Sequence, residues 1–263
     1  MFVGSDAIAL APLTNQITYL EEGDRATVSR DSVEIRDAAG ALVSRPMKMI
    51  QVDNTRIDKA GHKHFMAKEI AEQPGVISQA LAQYVTADNQ ITLQNSQIDF
   101  ANIDRLTMVA CGTAFYACMT AKYWFEQIAR LPVEIDVASE FRYREPPIPQ
   151  KTAALFVSQS GETADTLAAL RFCKEAGLKT AAVVNVPTST IAREVDLVLP
   201  TLAGPEIGVA STKAFTAQLC ALAAAVIAAA KVRGTLERKR EVELVNALSG
   251  IPSWLRRKMG ALV

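Results

Sequence analysis

The chain has 263 residues, 49% of them hydrophobic, with 28 lysines and arginines balanced by 28 aspartates and glutamates. That length can bury a core without disulfide or metal staples, and the even charge offers no net field to nucleic acid or an anionic membrane, so neither is expected as a partner. Cys111, Cys118, Cys173 and Cys220 form no CxxC pair or metal-ligand spacing, and His62 and His64 have no further ligand nearby; the expectation is reduced core thiols, a cytoplasmic location, no metal and no cofactor.

In chain order, Met1 to Leu13 lacks a basic start and carries Asp6, which argues against a secretory signal. Residues 1–58 read as β-rich. The short runs Ile17 to Leu20, Ala26 to Ser29 and Val33 to Arg36 are separated by the turn signals Gly23-Asp24, Arg30-Asp31 and Ala39-Gly40. Such a meander has little core of its own and reads as the edge of a larger domain. Residues 52–63 are polar and unpatterned, a linker. Within 59–88 apolar residues at Phe65, Met66, Ile70, Val76, Ile77, Leu81 and Val85 give helical spacing, with an interruption expected at Pro74-Gly75.

From about Ile103 the pattern changes. Leu106 to Ala110, Val133 to Val137, Leu155 to Val157, Thr180 to Val184 and Leu197 to Leu199 read as strands, and helices are expected near 114–130, 162–176 and 211–232. Short apolar strands alternating with helices specify an α/β fold, a doubly wound five-stranded parallel sheet of Rossmann-like type within 89–235. Its ligand belongs at the carboxyl ends of the strands. Leu219 to Ala230 is an apolar run of about 12 residues, too short for a span and read as a closely packed buried helix. Residues 236–263 read as a charged amphipathic segment leading out of the domain.

Three strand ends carry small, polar residues where a helix begins: Cys111-Gly112-Thr113-Ala114, Ser158-Gln159-Ser160-Gly161-Glu162-Thr163 and Val209-Ala210-Ser211-Thr212. A helix start offers unpaired N–H groups and about half a positive charge, hydroxyls add neutral donors, and glycine lets the backbone approach an anion. Taken singly, each serine or threonine is an ordinary helix cap worth about 1 kcal/mol. One cap serves one helix, however, and Ser158, Ser160 and Thr163 exceed that need. Their recurrence at three tips of one sheet points to a sugar-phosphate pocket. GxGxxG is absent, as is GxxxxGK followed by serine or threonine, which argues against dinucleotide and P-loop sites. Glu206 is a weaker candidate, otherwise a solvated loop carboxylate, and Lys213 reads as a solvated or phosphate-steering group.

These stretches, together with "FMAKEIAEQP", "SEFRYR" and "LEEGDRATVSRDSVEIRD", resemble a known family. The strand-end motifs look like the sugar-isomerase (SIS) domain. More narrowly, the chain resembles the isomerising glutamine–fructose-6-phosphate aminotransferases, or glucosamine-6-phosphate synthases. The resemblance covers the end of a glutaminase domain (1–58), a linker and connector (59–88), a first SIS domain (89–235) and a helical segment towards a second (236–263). It implies a bed for fructose 6-phosphate or glucosamine 6-phosphate. Ser158, Gln159, Ser160 and Thr163 match the family's phosphate- and sugar-binding stretch. Thr113 matches a second contact, with Cys111 and Gly112 shaping its loop, and Val209 and Ser211 a third. Ala114 departs from the pattern, which often has serine there. A homodimer is implied for the full enzyme.

The family's reaction also needs a terminal cysteine that releases ammonia from glutamine. A second SIS domain and a C-terminal tail supply a lysine for ring opening, with a glutamate and a histidine for proton transfer. Phe2 follows Met1, and eight residues follow Leu255. Both centres are therefore expected to lie outside this chain, and no catalytic residue is assigned. Two other readings stay open. A free-standing SIS module that senses a sugar phosphate and regulates a partner predicts a basic helix-turn-helix, where residues 1–60 read as β-rich. A stand-alone aldose–ketose isomerase needs its own general base, for which only Glu162 and Glu206 offer a carboxylate.

Overall fold

Short turns closed by their own side chains shape the first of the two units, Met1–Gly61 and His62–Val263, into which the computed structural model divides. Residues 1–4, 10, 13–49, 59–94 and 96–260 are described. In the first unit β1 (Gln16–Thr18) pairs antiparallel with β5 (Met47–Met49), and β2 (Arg25–Val28), β3 (Val33–Arg36) and β4 (Leu42–Val43) form an antiparallel meander. At the β3–β4 turn the Asp37 carboxylate accepts the Ala39 and Ala41 N–H groups at 2.9 Å each, the local closure that aspartate supplies in tight turns. Among the described residues of this unit only Ile17 and Ile35 are buried hydrophobics, while Val28, Val33, Leu42, Met47 and Met49 are exposed. The unit has strands but scarcely a core. The linker expected at 52–63 and the boundary expected at residue 58 fall largely on residues 50–58, outside those described.

The second unit opens with α1 (Phe65–Leu81), one continuous helix with Pro74 inside it. The expected interruption is not there. Proline removes one backbone donor and would leave the carbonyl four residues earlier, that of Ile70, without its helical partner. Ile70 is 40% exposed, so water can serve that carbonyl. Further along, the helix buries Val76, Ile77, Ala80 and Leu81 against neighbouring helices, and that burial outweighs the local defect.

The sheet is the expected one, five parallel strands: β6 (Arg105–Ala110), β7 (Val133–Val137), β8 (Thr152–Ser158), β9 (Lys179–Val184) and β10 (Leu197–Pro200), in the order β10-β9-β8-β6-β7. Alternate residues of each strand enter two different cores. Leu106, Met108, Ala110, Leu155 and Val157 pack under α2 (Gly112–Trp124), its π-helical continuation Phe125–Ala129, and α6 (Lys213–Val232). Val109, Ala154 and Phe156 pack under α3 (Ala138–Arg144), α4 (Ala164–Glu175) and α5 (Thr190–Glu194). Two of the cross-overs, α3 and α5, have seven and five residues and escaped the sequence reading because so short a helix shows no periodicity.

The alanine-rich helix α6 is long and apolar enough to cross a membrane, yet 61% of its most apolar window is buried inside the protein. Alanines let it sit close to α2 and α1, as Ala217, Ala221, Ala224 and Ala225 show by their complete burial. A final helix, α7 (Arg238–Gly260), lays Leu248, Ile251 and Leu255 on Ile77 and Leu81 of α1 and Cys220 of α6.

Candidate functional site: the crevice at the sheet's switch point

β6 and β8 are neighbours, paired Ala110 to Val157 at their last shared rung, so Cys111 and Ser158 emerge side by side. Beyond that rung the chains part. The connection after β6 enters α2 on one face of the sheet, and the connection after β8 leads to α4 on the other. Adjacent strands whose continuations go to opposite faces leave a crevice between their carboxyl ends, the place where doubly wound sheets bind ligands. Two of the three hydroxyl-bearing turns therefore flank one crevice.

The second turn is held by its own groups. After Ser158, the side-chain Oγ accepts the Gly161 N–H at 3.0 Å and lies 2.9 Å from Thr163 Oγ1, and Ser160 Oγ accepts the Glu162 N–H at 3.2 Å. Gly161 sits at φ +69°, and a Cβ there would lie 2.0 Å from Ser189 Oγ. Only glycine permits that approach. Gly112 likewise takes φ +57° where the chain turns from β6 into α2. Ser158 is buried, Gln159, Ser160, Thr163 and Cys111 are half-buried, and Gly112 and Thr113 are exposed. Ala114 is 8% exposed and belongs to the core under α2.

The helix starts differ in whether a side chain already takes up their first amides. α2 begins after Cys111 and α4 after Thr163, and neither has a side-chain cap. The serines and threonine of the second turn are thus not simple helix caps. They shape a turn in front of an uncapped helix. α6 is the contrary case. Glu206 Oε1 accepts the Thr212 and Ala214 N–H groups at 2.8 and 3.1 Å, and its Oε2 accepts the Ser211 hydroxyl at 2.9 Å. A carboxylate of the chain already occupies that positive end.

The third turn reaches the same side of the sheet through Asn185, which the sequence reading passed over. Its N–H donates to the Gln159 carbonyl at 3.1 Å, and its side-chain amide donates to Gly204 O at 2.8 Å and accepts the Ala203 N–H at 2.6 Å. One residue thus ties the turn after β8 to the loop after β10. The far end of α6 fixes its direction: Arg233 donates to the carbonyls of Ala129, Phe100 and Ile103, all on the amino side of β6 and β7. Its first turn therefore lies on the carboxyl side. Val209 stands fully exposed at the tip of the loop, and Ser211 is half-buried against Glu206. Lys213 differs from its reading as a solvated group. It is 4% exposed and pairs with Glu72 of α1 at 2.6 Å.

Burial raises the thiols of Cys173 and Cys220 to about 12, and that of Cys118 further still, so these three are packing residues and not nucleophiles. A separate groove of about 310 Å³ runs along the edge strand β10, lined by Tyr84, Leu93, Gln94 and Val198 among others, and lies outside the β6–β8 crevice.

With this geometry in hand, comparison with known proteins defines the class first. Residues 99–228, the stretch that holds this sheet and most of its covering helices, match the SIS domain family. The more particular likeness covers nearly the whole chain. It is 58% identical over 98% of its length to the glutamine–fructose-6-phosphate aminotransferase (isomerizing) of Brucella abortus, and 56% identical over all of it to that of Agrobacterium fabrum. The chain spans 42% and 43% of the length of those relatives. Among solved structures, the C-terminal domain of glucosamine-fructose-6-phosphate aminotransferase from Francisella tularensis superposes with a TM-score of 0.72 at 40% identity, covering 74% of this chain and 56% of that one.

Proposed function

We propose that this chain supplies the sugar-phosphate bed of an isomerising glutamine–fructose-6-phosphate aminotransferase, the enzyme that makes glucosamine 6-phosphate and glutamate from fructose 6-phosphate and glutamine. The observation that carries the reading is the pair of uncapped helix starts, α2 and α4, facing one crevice behind hydroxyl-bearing turns. In this assignment Ser158, Gln159, Ser160 and Thr163 receive the phosphate, and Thr113 adds a donor from the loop that Cys111 and Gly112 shape. Val209 and Ser211 border the sugar. Part of the bed is in place before the ligand arrives, because the Ser158 and Ser160 hydroxyls already accept amides of their own turn. Binding then spends little on ordering, and the bound ketose is held in one pose for the incoming ammonia.

The chain alone should hold sugar phosphate without converting it. Near the crevice, Glu162 accepts the Thr190 N–H at 2.7 Å and Glu206 caps α6, so both candidate carboxylates already serve the chain's own backbone. That weighs against a stand-alone isomerase. The full protein is proposed to act as a cytoplasmic homodimer, as its relatives' resemblance implied.

Calorimetry with fructose 6-phosphate tests the assignment. Wild-type chain should bind, and Ser158→Ala should weaken binding by about 1.5–3 kcal/mol, the value of a hydrogen bond to a charged group. Unchanged affinity in that variant would return the turn to a purely structural role.

A further inference from the structure

The loop that presents Val209 and Ser211 has no strand or helix of its own between β10 and α6. Its middle is instead gripped by α1. Glu69 is 2% exposed, and its Oε1 accepts the backbone N–H of Ile207 at 2.6 Å and of Gly208 at 3.0 Å, with Oε2 3.2 Å from the Gly208 nitrogen. The approach is close enough to require glycine. A Cβ on Gly208 would lie 2.5 Å from Glu69 Oε2 and 3.6 Å from the Met66 Cα. One turn further along α1, Glu72 pairs with the buried Lys213 at 2.6 Å and lies 3.6 Å from Lys68 Nζ. Helix α1 therefore holds both ends of a short segment, Ile207 to Lys213, whose interior displays Val209 and Ser211.

We propose that Glu69 is a positioning residue for the sugar half of the site: it does not touch the ligand but sets the backbone that carries Val209 and Ser211. This rests on the sugar-phosphate reading of the crevice. A buried carboxylate is a costly way to close a loop, since two backbone amides must replace its water. Here it does so at a point where no regular element could, 138 residues away in sequence from the group it holds. Glu206 already places one carboxylate at the start of α6, and the Glu69 grip keeps Ile207 and Gly208, the residues directly after Glu206, from carrying it away. Phosphate is received at α2 and α4, so a change at Glu69 should be felt by the sugar and not by the phosphate.

That separation gives the test. Calorimetry on the full chain compares fructose 6-phosphate with inorganic phosphate for wild type, Glu69→Gln, Glu69→Ala and Gly208→Ala. The expected result is a loss of about tenfold in fructose 6-phosphate affinity for Glu69→Ala and Gly208→Ala. Inorganic phosphate affinity should stay within about twofold, and Glu69→Gln, which keeps one acceptor oxygen, should fall between. Equal fructose 6-phosphate affinity in all four proteins overturns the inference while leaving the site reading intact. Parallel loss of both ligands, with a lowered melting temperature, also overturns it, by reducing Glu69 to a residue of the fold. Should Glu69→Ala fail to fold, Glu69→Gln and Gly208→Ala carry the comparison. A wild type that binds neither ligand refutes the sugar-phosphate reading itself, and this inference with it.

Discussion

Gly161 shows how little freedom the second turn has. Its φ of +69° lies in the left-handed region, where a side chain is strained, and its missing Cβ makes room for Ser189, the residue that starts α5. The Gly161 carbonyl also accepts the Ile191 N–H at 3.1 Å, so the turn and α5 are locked together. Gly161→Ala should destabilise the second unit by more than about 1 kcal/mol, since strain at positive φ adds to the displacement of Ser189. Urea unfolding measures this directly; a midpoint equal to wild type would mean that the turn can shift without penalty. At this scale the sequence exposed part of the proposed site. Ser158, Ser160 and Thr163 were legible because they break an apolar run. Asn185, Glu69 and Lys213 were not, because their roles come from partners far away in sequence and nothing in their own neighbourhood marks them.

Elements are joined to one another by polar clasps as well as by apolar contact, and the best defined is at the start of β10. Asp196 accepts the Thr180 N–H at 2.8 Å, the Thr180 hydroxyl at 3.0 Å and Lys179 Nζ at 3.0 Å, fastening β10 to β9. Partial burial pushes this carboxyl up, but the Thr180 and Lys179 hydrogen bonds outweigh it and hold the group below the usual aspartate range. A group lowered in the folded state contributes its full stability above its unfolded value, about pH 4, and loses it as the pH falls through the lower folded value. Asp196→Ala should therefore cost about 1–2 kcal/mol at pH 7, with the gap to wild type closing in acid. A gap that persists unchanged at low pH, followed by denaturant titration, would show that packing and not the charge holds the strand. Element boundaries followed the same division between local and distant causes. The five strands of the parallel sheet were placed within a few residues because each is a short, largely apolar run, whereas β4 and β5 of the first unit, two and three residues long, were missed. Helix α1 was misread as broken, because what keeps it whole through Pro74 is its packing on α6 and α7.

Taken whole, the molecule is two units of unequal self-sufficiency. The second holds the sheet, both of its cores and every residue assigned to the site, whereas the described part of the first buries only Ile17 and Ile35 among hydrophobics. Residues 62–263 alone should keep the melting temperature of the second unit and bind fructose 6-phosphate within about twofold of the full chain, since no assigned contact is lost. A clear drop in either would reveal a contribution from the first unit. What the sequence by itself determined was the α/β class, the strands and the hydroxyl-bearing tips, because hydrophobic period and helix-start chemistry are local properties of a chain. Tertiary structure alone decided the rest. Strand order brought β6 beside β8 and sent their continuations to opposite faces, and α1 folded back to seize the third loop. Both depend on pairings between distant segments, whose free energy no local stretch contains.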